Sequence, residues 1–420
     1  MSDSNRHKLI IIGCGASGMA AAISAAVYEK DILILERNSV PGKKIPATGN
    51  GKCNFTNERV SEADFRSSSG DAFEYFKRFT NEDTLAFFET LGVPSFNKNG
   101  YFYPHSNQAA SVRDALANRL EELHIPVIYD CRVKDVEKTS NGFRLLCGSR
   151  EFSCEKLIIA AGGQASPCFG TDGSFYYICR KLGHSVIEPL PALVGLTSGA
   201  SFLKDITGVR HEAVVSLEID KQTYSREYGE IIFNKTGISG IPVMNASAPA
   251  GRALSEGHPV RLSLDFFPEV SIEKLALFLK NHFDRSTLTL QRCLTGVLND
   301  KLIAVILKEC GISADHSDRK SDNTGIFTKL ARKMKNLILP VTGTNGFENA
   351  QTTAGGIPLD ELKKKSLESK ICKGLYIVGE LADADGRCGG YNLQWAWTSG
   401  VIAGAYAGGG EFDKTKLITA

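Results

Sequence analysis

Gly13-Cys14-Gly15-Ala16-Ser17-Gly18 restricts the possible folds of this chain more than any other stretch. An apolar run over residues 9–12 precedes it, and an Ala-rich stretch over 19–28 follows. A second apolar run over 32–35 then ends at Glu36. A short apolar run bounded by turn residues reads as a buried parallel strand, and the longer Ala-rich stretch reads as a helix. The order strand, glycine turn, helix, strand is one βαβ unit. In such a unit the first glycine allows the tight turn, the second lets backbone approach a pyrophosphate, and the third allows close helix–strand packing. The helix start then offers free N–H groups to phosphate. Glu36 stands at the tip of the second strand, where a carboxylate binds ribose hydroxyls. A glycine turn without ligand is the competing reading. The flanking strands, helix and acid favour a dinucleotide.

Length and charge narrow the rest. At about 150 residues per domain, 420 residues suggest two or three domains. Lys and Arg number 49 against 47 Asp and Glu, which argues against a phosphate-tracking nucleic-acid binder. The same balance argues against a polybasic membrane-surface protein. The 11 cysteines include no C-x-x-C pair, so neither a redox dithiol nor a zinc ribbon is expected, and a cytoplasmic setting is. The basic residues 6–8 and the apolar stretch behind them mimic a signal peptide, but three glycines interrupt it. No transmembrane helix is expected.

Along the chain, residues 71–125 read as mixed helix and loop, with helical periodicity over 112–123. Strands are expected over 127–129, 133–136, 143–147 and 157–161, with Asn141-Gly142 as a hairpin turn. Glu188-Pro189-Leu190-Pro191 reads as a boundary. Residues 192–266 alternate in short β-type runs. Residues 271–338 read as helical, with a polar loop over 313–324. An apolar strand ends at Gly379-Glu380, and a last helix covers about 392–407. Lys363-Lys364-Lys365 reads as a solvated helix face. The expected organisation is therefore an α/β domain in two segments, 1–190 and 346–420, interrupted by 191–345.

Two further motifs bear on the cofactor. The Lys-bearing, glycine-rich loop 41–54 is unneeded by a simple NAD dehydrogenase and suits a longer dinucleotide. Gly389-Gly390 opens the last helix, whose start presents N–H groups and a positive dipole end. Such an end stabilises the negative charge of a reduced flavin.

The stretches 41–57, 162–184, 229–240, 353–357 and 379–400 together resemble the HI0933-like flavoproteins of the BaiN/YhiN type. The most specific piece is Gly389-Gly390-Tyr391-Asn392-Leu393-Gln394-Trp395-Ala396-Trp397. The resemblance implies a Rossmann-like FAD-binding domain of glutathione-reductase type, interrupted by an insert with a β-barrel part and a helical part that caps the flavin. It implies non-covalent FAD held by Gly13, Gly15, Ala16, Ser17 and Gly18 at the pyrophosphate, with Glu36 and Arg37 at the ribose. Lys44, Gly51, Cys53 and Asn54 lie along the cofactor. Val133 meets adenine, and Ala161 and Gly162 pass near the dinucleotide. Gly356, Glu380, Asp385, Gly390, Asn392 and Leu393 surround ribityl and isoalloxazine. Two departures stand out. Ala160-Ala161-Gly162-Gly163 lacks the threonine of the A-T-G pattern, and Tyr101 stands where family members carry arginine.

The expected reaction is hydride transfer through flavin N5, from NAD(P)H to an activated C=C such as an enone of oxo-steroid or bile-acid type. The alternatives are an aminoacetone-type amine oxidase using O2 and a non-enzymatic flavin redox sensor. Reducing a conjugated C=C needs a proton donor. Tyr391, Arg387, Tyr101 and His105 are the candidates. No metal-ligand pattern and no hydrolase elbow is present. No second Gly-x-Gly-x-x-Gly appears, so nicotinamide is expected to visit the flavin face transiently, with ping-pong kinetics. The partner expected is a small-molecule substrate, with no nucleic acid and no membrane.

Overall fold

The structure is a computed structural model that describes residues 5–319 and 323–419. Its contacts divide the chain into two compact units. One comprises the residues up to 190 and those from 351 onward, and the other comprises 191–350.

The first unit is built on a seven-stranded sheet. Its strands are β1 (Arg6–Ile12), β2 (Ile32–Leu35), β3 (Val127–Ile128), β4 (Asp135–Thr139), β5 (Gly142–Cys147), β6 (Arg150–Ile159) and β7 (Leu375–Ile377). The order is β3-β2-β1-β6-β5-β4, and β7 also pairs with β6. Strand β6 divides its edge. Residues 150–154 pair antiparallel with β5, while 157–159 pair parallel with β7. Its other edge runs parallel to β1, with Ile10 opposite Leu157. Strand β2 is buried throughout, as a parallel strand covered on both faces must be.

Helix α1 (Ala16–Ala25) starts three residues before the Ala-rich stretch, because Ser17 and Gly18 form its first turn. It packs against the closing helix, labelled α3 below (Tyr391–Ala407), through a glycine stripe. A Cβ on Gly400, Gly404 or Gly408 would lie 2.4, 2.1 or 2.7 Å from the carbonyl oxygens of Ser17, Ala21 and Ala25. Only glycine lets two helix backbones approach so closely. Gly404→Ala is therefore expected to force α1 and α3 apart, at about 3 kcal/mol. A thermal melt should show Tm lowered by roughly 10 °C. An unchanged melt would refute the contact.

His184, Glu361 and Ser369 line up like a hydrolytic triad. The His184 ring bonds Glu361 through Nδ1 at 2.6 Å and Ser369 Oγ through Nε2 at 2.8 Å. Ser369 is buried, however, and its Oγ already accepts the amides of Ile371 and Cys372. This network ties loops together.

The second unit holds a closed six-stranded barrel of Leu196–Ser198, Arg210–Ile219, Gln222–Asn234, Gly237–Ser239, Val260–Asp265 and Leu337–Thr344. Helices Ile272–Arg285, Asp300–Glu309 and Thr324–Lys335 share its apolar core.

Several expectations need correction. The range 192–266 contains a 15-residue helix, Ile241–Ser255. Pro242 sits at its first turn, where a missing N–H is harmless, and Pro249 lies inside it, so proline punctuation hid it. The strand expected over 133–136 begins only at Asp135. Lys363, Lys364 and Lys365 lie exposed on a turn, not on a helix. The sulfurs of Cys131 and Cys147 lie side by side, with Cα atoms 6.0 Å apart. Their separation of 16 residues carries no motif, since sheet pairing brings them together. The polar loop expected over 313–324 includes 320–322, which lie outside the described residues. Among the described residues, no helix is long and apolar enough to cross a membrane.

Candidate functional site

The opening turn assigns each glycine a different task. Gly13 has φ +97°, and a Cβ there would lie 2.4 Å from the Ala160 carbonyl oxygen. A Cβ on Gly18 would lie 1.9 Å from the Gly13 carbonyl oxygen. Both glycines are needed for packing. Gly15, at φ −87°, faces nothing within 4 Å. The turn thus has one open flank, at the glycine where backbone would approach a pyrophosphate. Helix α1 has no side-chain cap and no acid in its first turn. Met19 makes its first intrahelical bond, to Gly15, so the amides of Ala16, Ser17 and Gly18 remain for an anion.

Glu36 is buried at the end of β2. Its Oε2 accepts the Cys14 amide at 2.6 Å, and its Oε1 accepts the Asn38 amide at 2.8 Å and Nδ2 at 2.7 Å. These bonds fix the carboxylate and leave a lone-pair site on Oε2 for a sugar hydroxyl. Segment 130–133 runs alongside, with the Cys131 amide on the Glu36 carbonyl at 2.8 Å, which brings Val133 to this end. Arg37 is ion-paired to Asp172 at 3.0 Å. Ala161 and Gly162 follow β6 and border Gly13, whose Cβ position lies 3.4 Å from Ala161 Cα.

In the middle of the site, Lys44 Nζ donates to Glu380 Oε2 at 2.9 Å and to the Ala165 carbonyl at 3.4 Å. Glu380 Oε1 accepts Thr353 N at 3.0 Å and Thr353 Oγ1 at 2.8 Å. Thr353 Oγ1 in turn accepts the amides of Gln164 and Ala165. Gly379, before Glu380, closes on α1, since a Cβ there would lie 2.5 Å from Ser17 Oγ. The opening turn and the closing segment therefore meet, though 336 residues separate Lys44 from Glu380.

The entry to α3 is the second cradle. Gly389 and Gly390 have φ +136° and +93°, and no side chain caps the helix. Its first turn holds no acid, and the first intrahelical bond is Gln394 N to the Gly390 carbonyl. The amides of Tyr391, Asn392 and Leu393 are thus left for an acceptor outside the helix. Asn392 clamps the preceding turn, accepting Gly386 N at 2.8 Å and donating to Gly386 O at 2.7 Å. Asn57 Nδ2 donates to the Gly389 carbonyl at 2.9 Å. Among the described residues, Asn54 Oδ1 is buried without a partner, and it would lie 2.9 Å from a Cβ on Gly390. Asp385 pairs with Arg66 at 3.5 Å. The open Gly15 flank, the orphaned Asn54 oxygen and the uncapped α3 start fit an FAD with pyrophosphate at one helix and flavin ring at the other.

The remaining residues divide by position. Gly51, at φ +83°, borders open space. Cys53 is buried, and burial pushes its thiol up to about 12; burial and then Glu36 raise that of Cys14. Neither thiol ionises at neutral pH. Gly356 is explained by packing, since a Cβ would lie 2.5 Å from the Leu381 carbonyl oxygen. The Tyr391 hydroxyl donates to the Arg59 carbonyl at 3.1 Å, and burial followed by the charge of Asp64 pushes its pKa up to about 12. The Tyr101 ring lies on Gly389 beside Tyr391, with Cβ-position distances of 3.1 and 3.0 Å to the two rings. Arg387 donates its amide to Asp64 O at 3.0 Å. His105 is exposed, its ring edge-on to Phe96 with centroids 6.1 Å apart. Thr353, Asn57 and Arg66 were not foreseen as site residues. Thr353 and Asn57 stand in the sequence only as ends of the stretches 353–357 and 41–57.

The HI0933-like protein Rossmann domain model matches residues 7–406. The chain belongs to the HI0933-like family. One relative, the 3-dehydro-bile acid delta(4,6)-reductase of Clostridium scindens, is 37% identical over 407 residues, covering 96% of this chain and 99% of that protein. The ribosomal RNA dihydrouridine synthase of Escherichia coli is 28% identical over 397 residues, covering 94% and 96%. Among solved structures, a 3-ketosteroid-delta4-(5alpha)-dehydrogenase from Rhodococcus jostii covers 96% of this chain and 97% of that one, at 14% identity and TM-score 0.46. As an HI0933-like protein, the chain is a flavin-dependent oxidoreductase with an FAD-binding Rossmann fold.

Proposed function

We propose that this HI0933-like protein uses NAD(P)H and non-covalent FAD to reduce a C=C bond conjugated to a carbonyl, on a small oxo-steroid or bile-acid-like substrate. The uncapped, glycine-opened start of α3 carries the reading. Its amides and positive dipole end favour negative charge on the pyrimidine side of a flavin. The 37% identity to a bile-acid reductase over nearly the whole chain supports the substrate class. The names of both relatives also imply one chemistry, saturation of a double bond conjugated to a carbonyl.

Flavin, when bound, supplies hydride transfer, and the protein supplies orientation and charge. Ala16, Ser17 and Gly18 bind the pyrophosphate with backbone N–H groups, and Glu36 binds the ribose. Lys44 balances Glu380, which holds Thr353 and with it the turn at 163–165. Asn392 keeps the Gly386 turn rigid ahead of α3. Tyr101 is the proposed proton donor. Tyr391 is a positioning residue, because its hydroxyl is already committed to Arg59.

Stopped-flow mixing of the reduced enzyme tests the reaction. A 3-oxo steroid dienone is expected to reoxidise it much faster than air does, and a small amine is expected not to reduce it. Rapid reoxidation by air with turnover of aminoacetone would establish the oxidase instead. Saturation of uridine in RNA, without steroid turnover, would move the substrate class to nucleic acid.

A further inference from the structure

Asp172 joins three chain segments around Glu36. Its Oδ2 accepts Arg37 at 3.0 Å and Arg132 at 2.7 Å. Its Oδ1 accepts the Ser174 amide at 3.1 Å and the Ser174 hydroxyl at 2.7 Å, at the start of α2 (Ser174–Lys181). Arg37 follows the ribose carboxylate directly, and Arg132 lies between Cys131, bonded to the Glu36 carbonyl, and Val133. The stretch leading into Asp172 is pinned along the same edge. Asn38 Nδ2 donates to the Phe169 carbonyl at 3.3 Å, and a Cβ on Gly170 would lie 2.6 Å from Asn38 Oδ1. Thr171 Oγ1 donates to the Ala165 carbonyl at 2.8 Å, and its methyl would lie 2.8 Å from a Cβ on Gly162.

We propose that residues 165–173 form a strap over the adenosine end of the dinucleotide, with Asp172 as its clasp to Arg37 and Arg132. The inference rests on the FAD reading above. Asp172 and Arg132 are positioning residues, acting through the segments that carry Glu36 and Val133. Two guanidiniums on one carboxylate leave a surplus positive charge at this end, suited to an anionic cofactor. The side chains of Arg37, Asp172 and Arg132 are 31%, 33% and 54% exposed. Ion pairs this open contribute little to global stability. Breaking the clasp should therefore appear in cofactor retention, with the melting of the apoprotein unaffected.

The test is FAD release from the holoenzyme, followed by recovery of flavin fluorescence. Asp172→Asn keeps an Oδ1 for Ser174 and removes the charge, and it is expected to release FAD about tenfold faster. Arg132→Gln should do the same, and the double variant should add little, because both changes break one clasp. Salt should bring wild type towards the variants. The flavin visible maximum and midpoint potential should stay at wild-type values, because the ring end is untouched. Wild-type release rates in folded Asp172→Asn and Arg132→Gln would overturn the strap. If Asp172→Asn does not fold, Arg132→Gln alone decides. A wild-type protein that retains no FAD would instead overturn the underlying reading.

Discussion

Replacing Gly15 by valine is expected to leave the apoprotein folded and to abolish FAD retention. The backbone at Gly15 is extended, a conformation valine accepts, and its Cβ direction is open for 4 Å. Losing glycine at an N-cap costs about 1 kcal/mol, so the apoprotein Tm should fall by no more than about 3 °C. The branched side chain, however, fills the one open flank of the turn. It keeps phosphate from the amides of Ala16, Ser17 and Gly18, and the loss in FAD affinity should reach about a thousandfold. Gly13→Val provides the contrast. Its side chain would strike the Ala160 carbonyl in a left-handed conformation, so folding itself should fail. Thermal melts with and without FAD distinguish these outcomes. If Gly15→Val binds FAD as wild type does, the pyrophosphate lies elsewhere.

The two tyrosines at the α3 entry give the second large effect. Tyr101→Phe removes the proposed proton donor and should slow substrate-driven reoxidation of reduced enzyme by about a hundredfold. Reduction by NAD(P)H, which needs no such proton, should be unaffected. Tyr391→Phe should keep both half-reactions within about threefold while losing about 1 kcal/mol of stability with its bond to Arg59. The raised pKa of Tyr391 means that its phenol stays protonated across the assay range. No ionisation in the pH profile below about 11 should therefore disappear in Tyr391→Phe. Equal half-reaction rates in wild type and Tyr101→Phe would remove Tyr101 from the chemistry. A collapse confined to Tyr391→Phe would assign the proton to that residue.

What was legible in the sequence was local. The βαβ unit was readable because its glycines, its apolar strands and Glu36 lie within thirty-odd residues and each obeys a steric rule. The α3 entry was readable because a glycine pair opening a helix has a short signature. What was hidden depended on chain closure. Nothing near Lys44 announces Glu380, and nothing near Asp172 announces Arg37 and Arg132; the parallel order β3-β2-β1-β6-β7 creates that neighbourhood. The glycines of α3 stand in the sequence with nothing beside them to name their target, and the carbonyls of α1 that they meet appear only in three dimensions. The helix Ile241–Ser255 was masked by prolines that also occur in turns, so β-type runs were expected there. Six-strand barrel closure likewise leaves no mark in any single strand.

On the proposed function, one FAD lies between the open turn before α1 and the uncapped start of α3. Titrating the apoprotein with FAD, while following the visible spectrum and the melting temperature, tests it most directly. One tightly held, yellow FAD per chain, a raised Tm, and loss of both in Gly15→Val are expected. A folded, colourless wild-type protein whose Tm is indifferent to added FAD would contradict it.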